Sequence, residues 1–264
     1  MIEIIGFIAA LLIGLLLGLM GGGGSIITVP VLVYLMHYSP VVATGYSLFV
    51  VGSTSAVGAS MYWKRGLIDF KTALKLGVPA ALSVYLTRQL IIPAIPDRMF
   101  EIGDFYITKS IFLMILFAVI LIMAATSMIR GREQVAKDRG EQNLFQRSVI
   151  LQGLGIGFLT GMVGIGGGFM IVPALVILSG LSMKMAVGTS LLIMSANSLV
   201  GFLGDILTSD IEWKFLLSFS AISILGIFIG NYLSKKIPGE KLRKWFGWFA
   251  LAMGMYILIR EIWL

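Results

Sequence analysis

Long apolar segments limit what this chain can fold into more than any other feature of its sequence. A bilayer core about 30 Å thick is crossed by about 20 helical residues. Six segments are long enough to do so: 41–63, 70–92, 108–129, 184–204, 213–234 and 244–263. Because 58% of the 264 residues are hydrophobic and only 12% are charged, the chain lacks the polar surface of a water-soluble globule. The sequence therefore predicts a protein that crosses the membrane several times.

The apolar segments are helical rather than strand-like. They are apolar on every face and rich in Leu, Ile, Met and Ala, whereas the strands of a membrane barrel alternate apolar and polar residues. Two more segments, 3–20 and 146–163, just reach spanning length, and a shorter one, 25–37 or 168–180, follows each across a glycine cluster. Glu3 and the lack of a basic residue before the first segment predict a retained helix rather than a signal peptide. We predict an all-α polytopic membrane protein.

The sequence contains an internal repeat with an offset of 143 residues. GLLLGLMGGGGSIITVPVLVYL, from Gly14, aligns without a gap on GFLTGMVGIGGGFMIVPALVIL, from Gly157. Of the 45 aligned pairs from 14/157 to 58/201, 19 are identical, more than two apolar segments of similar composition would share by chance. The offset becomes 142 where Ile95-Pro96 aligns with Ile237-Pro238. A flexible linker would not be copied in this way inside a membrane core.

The repeat divides the chain into two transmembrane halves, 1–129 and 148–264, joined by the charged segment 130–147. Lys and Arg are enriched in the cytoplasmic loops of membrane proteins. They concentrate near 64–75 in the first half but near 235–244 in the second, and these loops are not equivalent. We therefore predict inverted-topology repeats, with both termini extracytoplasmic and a cytoplasmic linker. Each half then crosses an odd number of times, so its two short segments either both cross or both re-enter.

Each glycine cluster, MGGGGS at 20–25 and GIGGG at 164–168, is predicted to break a helix inside the membrane. Glycine lets the backbone leave helical geometry. The first amides of helices restarting at Ser25 and Phe169 lack intrahelical partners and carry partial positive charge, which suits an anion. Inverted repeats with interrupted helices are typical of secondary transporters. The predicted binding residues of the breaks are Gly21, Gly22, Gly23, Gly24, Ser25, Thr28, Gly164, Gly166, Gly167 and Gly168.

Close helix packing is the alternative explanation of these glycines. We favour packing for the pairs Gly14/Gly18, Gly157/Gly161 and Gly226/Gly230, which have small-xxx-small spacing. We favour a binding site for the two clusters, because four or five consecutive small residues exceed what packing needs.

A second polar feature follows each break, in ATGYSLFVVGSTSAVG from Ala43 and AVGTSLLIMSANSLVG from Ala186. Three-and-four spacing places polar residues on one face of each helix. Uncharged donors suit an oxyanion that must be held and then released; interhelical hydrogen bonding is the alternative. The predicted binding residues here are Ser47, Thr54, Thr189, Ser190 and Asn197.

Few charged residues lie inside the apolar segments. Arg88 is expected to extend to the membrane surface rather than to bind an anion. Asp69 and Glu212 are equivalent in the repeat and are expected to cap the helices that they precede, with proton coupling as the alternative. His37 aligns with Gly180, which argues against a symmetric metal site. The sequence has no cysteine and no catalytic motif, so we predict neither an enzyme nor a metal or cofactor.

The paired motifs resemble the TauE/SafE sulfite exporter family. The resemblance rests on GGGGSIITVP and GIGGGFMIVP, each followed by A-x-G-x-S-L in ATGYSL and AVGTSL, and it extends over nearly the whole chain. It implies a carrier in the inner membrane that exports small sulfur-containing anions such as sulfite or sulfonates, driven by an ion gradient. The first break reads GGGGS where the second reads GIGGG, so the two half-sites need not be equivalent.

The sequence thus predicts a secondary active transporter of a small oxyanion in the cell inner membrane. Its expected partners are the anion, a coupling proton or other ion, and the lipid bilayer. Nucleic acid is not expected despite the net charge of +7, because the basic residues lie in short loops at helix ends. The alternatives are a passive anion channel and a structural or assembly protein of the membrane whose glycines only pack.

Overall fold

The computed structural model describes residues 2–102, 105–130, 142–164, 166–177, 179–206, 211–234 and 239–263. Much of the predicted linker, 131–141, lies outside the described residues, as do parts of the loops near 205–214 and 235–244. The described chain is helical almost throughout, which confirms the predicted all-α membrane protein. By length and composition, five described helices can cross a membrane: Pro40–Trp63, Phe70–Ala94, Lys109–Thr126, Met183–Ile206 and Trp213–Leu233.

Eleven helices and one short β-hairpin form the described structure. In chain order they are α1 (Ile2–Met20), α2 (Gly23–Pro30) with a π-helical turn (Val31–Leu35), α3 (Pro40–Trp63), α4 (Phe70–Leu86) with a π-helical turn (Thr87–Ile91), α5 (Ile92–Ala94), β1 (Arg98–Ile102), β2 (Phe105–Thr108), α6 (Lys109–Arg130), α7 (Gln142–Val163), α8 (Gly168–Ile177), α9 (Met183–Ile206), α10 (Trp213–Leu233) and α11 (Gly239–Trp263). The antiparallel hairpin, which the sequence pattern did not predict, links α5 to α6.

The helix boundaries reproduce the sequence repeat. Both ends of α9 lie 143 residues after the corresponding ends of α3, and α10 begins 143 residues after α4. We call residues 143 positions apart equivalent. The π-helical turn at Thr87–Ile91 widens the end of α4, and a π turn of this kind accommodates an inserted residue. One extra residue in the first half accounts for the change of offset from 143 to 142.

The two long polar helices, α3 and α9, pack antiparallel at the centre of the molecule. Gly45 faces Asp205 at one end of the contact, Gly52 faces Leu199 in the middle, and Gly188 faces Tyr62 at the other end. The two ends are called the Asp205 end and the Tyr62 end. Asp205 and Tyr62 are equivalent residues, and so are Gly45 and Gly188, so the contact has the two-fold character of a symmetric interface.

Glycines bring the outer helices into close contact. A Cβ at Gly18 of α1 would lie 2.6 Å from the Ile227 carbonyl oxygen of α10. A Cβ at the equivalent glycine of α7, Gly161, would lie 2.7 Å from Thr87 Cβ, directly after α4, and 3.2 Å from the Val84 carbonyl oxygen in α4. The structure therefore confirms that the small-xxx-small glycines pack helices. The pairs α1–α10 and α7–α4 exchange places under the repeat, and α6 packs against α11 to complete the described fold.

Candidate functional site

The two glycine breaks meet in the interior of the protein. A Cβ at Gly168, the first residue of α8, would lie 2.6 Å from Gly22 Cα, immediately before α2. The helices restart at Gly23 and Gly168, slightly before the predicted Ser25 and Phe169. The N-terminal ends of α2 and α8 therefore lie side by side, and their glycines are buried.

Positive φ angles explain why these positions hold glycine. Gly21 has φ +69° and its equivalent Gly164 has φ +73°. In the second break, Gly166 (φ +69°) and Gly167 (φ +72°) are also left-handed, whereas Gly23 and Gly24 of the first break are not. An L-residue with a side chain rarely adopts this conformation. The two breaks thus share the residue at which the helix ends but differ in the loop that follows.

Each break packs against the long polar helix of the other repeat. Gly21 lies against Val187 and Ser190 of α9, and Gly164 lies against Thr44 of α3. A Cβ at Gly166 would lie 2.6 Å from Ser198 Oγ. The breaks and the α3–α9 contact therefore form one continuous region.

Polar side chains follow the α3–α9 contact, and we call this set the polar stripe. Its members are Ser47, Thr54 and Ser55 of α3 and Ser190, Asn197 and Ser198 of α9. All six have zero solvent exposure. Within the described residues, the side-chain oxygens of Ser47, Thr54, Ser55 and Ser198 and both amide atoms of Asn197 have no hydrogen-bond partner. A buried polar group without a partner is costly, so these groups differ from the hydroxyls that are satisfied by the backbone.

Other predicted site residues bind the backbone instead. Ser25 Oγ donates to the Gly22 carbonyl oxygen over 2.7 Å, and Thr28 Oγ1 donates to the Gly24 carbonyl oxygen over 3.1 Å. Ser190 Oγ lies 2.9 Å from the carbonyl oxygen of Gly21 and fixes the end of the first break. In this structure these hydroxyl protons hold the breaks in place.

Thr189 takes part in one of two equivalent hydrogen bonds between the repeats. Its Oγ1 accepts from the Asp69 N–H over 2.9 Å. The Tyr46 hydroxyl, at the equivalent position, accepts from the Glu212 N–H over 2.8 Å. Each bond ties the start of α4 or α10 to the long polar helix of the other repeat.

The capping prediction is right for Asp69 and wrong for Glu212. The Asp69 carboxylate accepts from the N–H groups of Lys71 and Thr72 at the start of α4. Burial opposes ionisation of this carboxyl, but the hydrogen bonds from Thr72 and Lys71 outweigh it and the pKa of Asp69 is lowered. Glu212 makes no side-chain cap; its carboxylate accepts from the Tyr38 hydroxyl over 2.9 Å.

Arg88 does not extend to the membrane surface, so that expectation is wrong. The side chain is buried, and its Nη1 lies 3.2 Å from Asp205 Oδ2 at the end of α9. The π-helical turn at Thr87–Ile91 directs it inward, against Gly204 and Asp205. Opposite charges at the ends of two otherwise apolar segments were the sequence signal for this pair, but the signal does not show that the segments are neighbours.

His37 is exposed and adopts a left-handed conformation with φ 60°. Its equivalent, Gly180, has φ 64°. The position is therefore a turn that both repeats share before α3 and α9, which explains why histidine and glycine align there.

A multi-pass helical protein with two broken helices meeting at an enclosed polar centre belongs structurally among membrane transporters. The sulfite exporter TauE/SafE family model matches residues 6–257, so this chain belongs to that family.

Curated relatives cover nearly the same length. The chain is 26% identical over 255 residues to a "probable membrane transporter protein" of Xylella fastidiosa, covering 95% of this chain and 92% of the relative. It is 28% identical over 232 residues to a protein of the same description, YdhB of Bacillus subtilis, covering 88% and 90%. A relative from Methanocaldococcus jannaschii is 26% identical over 273 residues, covering 98% and 95%. No solved structure matches the chain. The family and these descriptions indicate a membrane transporter rather than an enzyme.

Proposed function

We propose that this transporter carries a small sulfur-containing oxyanion, sulfite or an organosulfonate, and binds it where the two glycine breaks meet the polar stripe. The observation that carries the proposal is the set of unpartnered, fully buried groups of Thr54, Ser55, Asn197 and Ser198. Gly166 connects them to the breaks, since its Cβ would lie 2.6 Å from Ser198 Oγ.

The chemistry of this region suits an anion that must be released again. The N-terminal ends of α2 and α8 supply backbone N–H groups with partial positive charge. Hydroxyl and amide groups of the stripe supply further neutral donors. Neutral donors at a low-dielectric centre attract an oxyanion without the deep well that a fully charged partner would create.

The packing of α3 and α9 supports alternating access between inverted repeats. Because these two equivalent helices run antiparallel, a two-fold axis across them turns one repeat upside down relative to the other. With the binding region on this axis, rocking one repeat against the other would open the Asp205 end and the Tyr62 end in turn. The loop charges favour an extracytoplasmic Asp205 end, extracytoplasmic termini and a cytoplasmic segment 130–147 in the inner membrane.

A passive anion channel could use the same donors, and a structural membrane protein could use the same glycine packing. Zero exposure of the polar stripe favours a carrier over an open channel. The unpartnered donors favour a ligand over packing alone, because packing gives no reason to bury them.

The test is uptake of isotopically labelled sulfite into proteoliposomes that contain the purified protein, with Gly166→Ala as the site variant. The added methyl group would meet Ser198 Oγ and Val51 Cγ1, 2.6 and 2.7 Å away. Gly66→Ala is the matched control, since Gly66 has nearly the same φ, +68°, but no atom within 4 Å of a Cβ. Both variants carry the same backbone strain, and only the first fills the site.

We expect sulfite uptake in wild type and Gly66→Ala and little or none in Gly166→Ala. Wild-type uptake in Gly166→Ala would contradict the assigned site. If no variant takes up sulfite, sulfonates and other small oxyanions are assayed in the same vesicles; failure with all of them would contradict anion transport. Uptake against a concentration gradient when an ion gradient is imposed distinguishes a carrier from a channel.

A further inference from the structure

We propose that Arg88 forms a second anion subsite, at the Asp205 end of the polar stripe, where the transported anion and Asp205 compete for the guanidinium and Asp205 takes up a proton when the anion binds. This inference rests on the proposed function and adds to it the coupling ion and the residues that bind that ion.

Arg88 is only partly used by its partner. Its Nη1 lies 3.2 Å from Asp205 Oδ2 and 3.5 Å from Asp205 Oδ1. Its Nε and Nη2 are buried and have no hydrogen-bond partner in the described structure. These two nitrogens form one edge of the guanidinium group, whose parallel N–H bonds match two oxygens of a single oxyanion. A buried arginine with this edge unfilled is therefore suited to bind an oxyanion side-on.

The ion pair lies close to the second glycine break. Gly164 packs against Thr44 of α3, and the next residue, Gly45, packs against the Asp205 carboxylate, whose Oδ2 would lie 2.8 Å from a Cβ there. Asp205 is two helical turns beyond Asn197 in α9, a rise of about 12 Å. An anion bound to Arg88 would thus lie about two helical turns from the donors at the centre of the polar stripe.

Asp205 can exchange protons with water. Its side chain is 14% exposed, and it lines a small, partly open cleft together with Val41, Val42, Gly45, Tyr46, Phe202 and Ile211. The other titratable groups described at this end are Tyr46, Tyr38 and Glu212, and these are hydrogen-bonded to one another. The Asp205 carboxylate neutralises the Arg88 guanidinium, whose Nη1 lies 3.2 Å from its Oδ2.

Charge balance couples the two events. In the observed state the carboxylate neutralises the guanidinium. When an anion binds the Nε–Nη2 edge, the buried cluster carries an excess negative charge unless the carboxylate takes up a proton from the cleft. One bound anion and one bound proton restore neutrality, so both cross in the same direction.

The Arg88–Asp205 pair has no charged counterpart at the equivalent positions of the other repeat. The residues equivalent to Arg88 and Asp205 are Asn231 and Tyr62, which carry no charge at neutral pH. Asn231 Oδ1 accepts from Arg65 Nη1 over 3.0 Å, and Arg65 is exposed. The Tyr62 end therefore provides a natural control, because its arginine at the mirrored level has no buried carboxylate beside it among the described residues.

The experiment measures uptake of labelled methanesulfonate, whose charge does not change over the working pH range, into proteoliposomes. Each preparation is assayed for gradient-driven uptake with an acidic exterior and for counterflow exchange without a gradient. The variants are Asp205→Asn, Arg88→Gln, the double variant and the control Arg65→Gln. We expect Asp205→Asn to retain exchange and lose stimulation by the gradient, Arg88→Gln to raise the half-saturating methanesulfonate concentration, and Arg65→Gln to behave as wild type.

Proton uptake by the wild-type protein provides a second readout that does not depend on any variant folding. In weakly buffered detergent solution, a pH-sensitive dye should report one proton taken up for each methanesulfonate bound. Single removal of a buried charge can destabilise a protein, and the double variant removes both charges at once; it should transport without gradient stimulation. Full gradient stimulation in Asp205→Asn, or binding without proton uptake, would overturn the coupling while leaving anion transport intact. Failure of the wild type to bind or transport either sulfite or methanesulfonate would instead overturn the proposed function itself.

Discussion

The hydroxyl of Thr54 is buried and has no partner in the part of the chain that the structure describes, so its cost to folding and its use in transport can be measured separately. A buried unpaired hydroxyl costs about 1–3 kcal/mol, and valine has nearly the same shape without it. We expect Thr54→Val to leave the stability of the purified protein unchanged or to raise it, and to reduce sulfite uptake. Thermal unfolding in detergent and proteoliposome flux measure the two effects.

Thr189→Val is the control for Thr54→Val. It makes the same substitution at a hydroxyl that already has a partner, since Thr189 Oγ1 accepts from the Asp69 N–H. Loss of that acceptor should destabilise the protein by about 1 kcal/mol. If both variants lose the same stability, Thr54 has an internal partner and its place in the binding region is refuted.

The residue types in the sequence predicted the polar stripe, but they did not predict which of its hydroxyls have a hydrogen-bond partner. Ser47 and Ser190 are equivalent in sequence, yet only Ser190 has a described acceptor, the Gly21 carbonyl oxygen. Ser190 Oγ also lies 2.9 Å from the Val187 carbonyl oxygen in its own helix, and no sequence pattern distinguishes the two serines. Likewise, the sequence could place Arg88 in a helix but could not bring it to Asp205.

At the scale of helices, adding one methyl group should have opposite effects at Gly18 and Gly155. A Cβ at Gly18 would lie 2.6 Å from a carbonyl oxygen and 2.7 Å from a backbone nitrogen of α10, whereas Gly155 in α7 has no atom within 4 Å of its Cβ. We expect Gly18→Ala to destabilise the protein by about 1–3 kcal/mol through overpacking. Gly155→Ala should stabilise it by roughly 0.5–1 kcal/mol through helix propensity.

Thermal unfolding of both variants in the same detergent tests this prediction. Equal shifts would mean that α1 and α10 do not approach each other as the structure shows. The result also separates the two roles of glycine, helix packing and ligand binding. Gly18→Ala should mainly lower the stability of the protein, whereas Gly166→Ala should mainly lower its transport.

The sequence located most helices because apolar length and the 143-residue offset are local signals. It placed the restart of α2 at Ser25, whereas the helix begins at Gly23. Glycine has low helix propensity, so local sequence does not predict helical glycines there. We attribute them to the contact between the two breaks, which the sequence does not show. The one-residue change in offset was visible in sequence, but its cause, the π-helical turn at Thr87–Ile91, was not.

At the scale of the whole molecule, the two repeats account for the arrangement of the helices. With a two-fold axis, each contact between helices occurs twice, once for each repeat. The packing of α1 on α10, for example, is repeated by the packing of α7 on α4. The axis passes through the α3–α9 contact, where Gly45 faces Asp205 as its equivalent Gly188 faces Tyr62. Departures from the symmetry then identify where the two membrane faces differ, and the Arg88–Asp205 pair is one of them among the described residues.

Inverted topology can be tested with one pair of equivalent positions, because the chain has no cysteine of its own. Ser39 and Ser182 are exposed and immediately precede α3 and α9. We expect Ser39→Cys and Ser182→Cys to react with a membrane-impermeant maleimide from opposite sides of the membrane in intact cells and inverted vesicles. Since α3 and α9 pack antiparallel, a shared side would require one of them not to cross the bilayer.

The loop charges further predict which cysteine is external. Ser39 lies at the Asp205 end, which we place outside, and Ser182 lies at the Tyr62 end, near Arg65 and Lys64, which we place in the cytoplasm. Ser39→Cys should therefore react in intact cells and Ser182→Cys only after the membrane is inverted or permeabilised. The opposite pattern would keep the inverted repeat and reverse its orientation, and the proton of Asp205 would then come from the cytoplasm. Labelling of both cysteines from one side would refute the inverted repeat and, with it, alternating access by exchange of the two repeats.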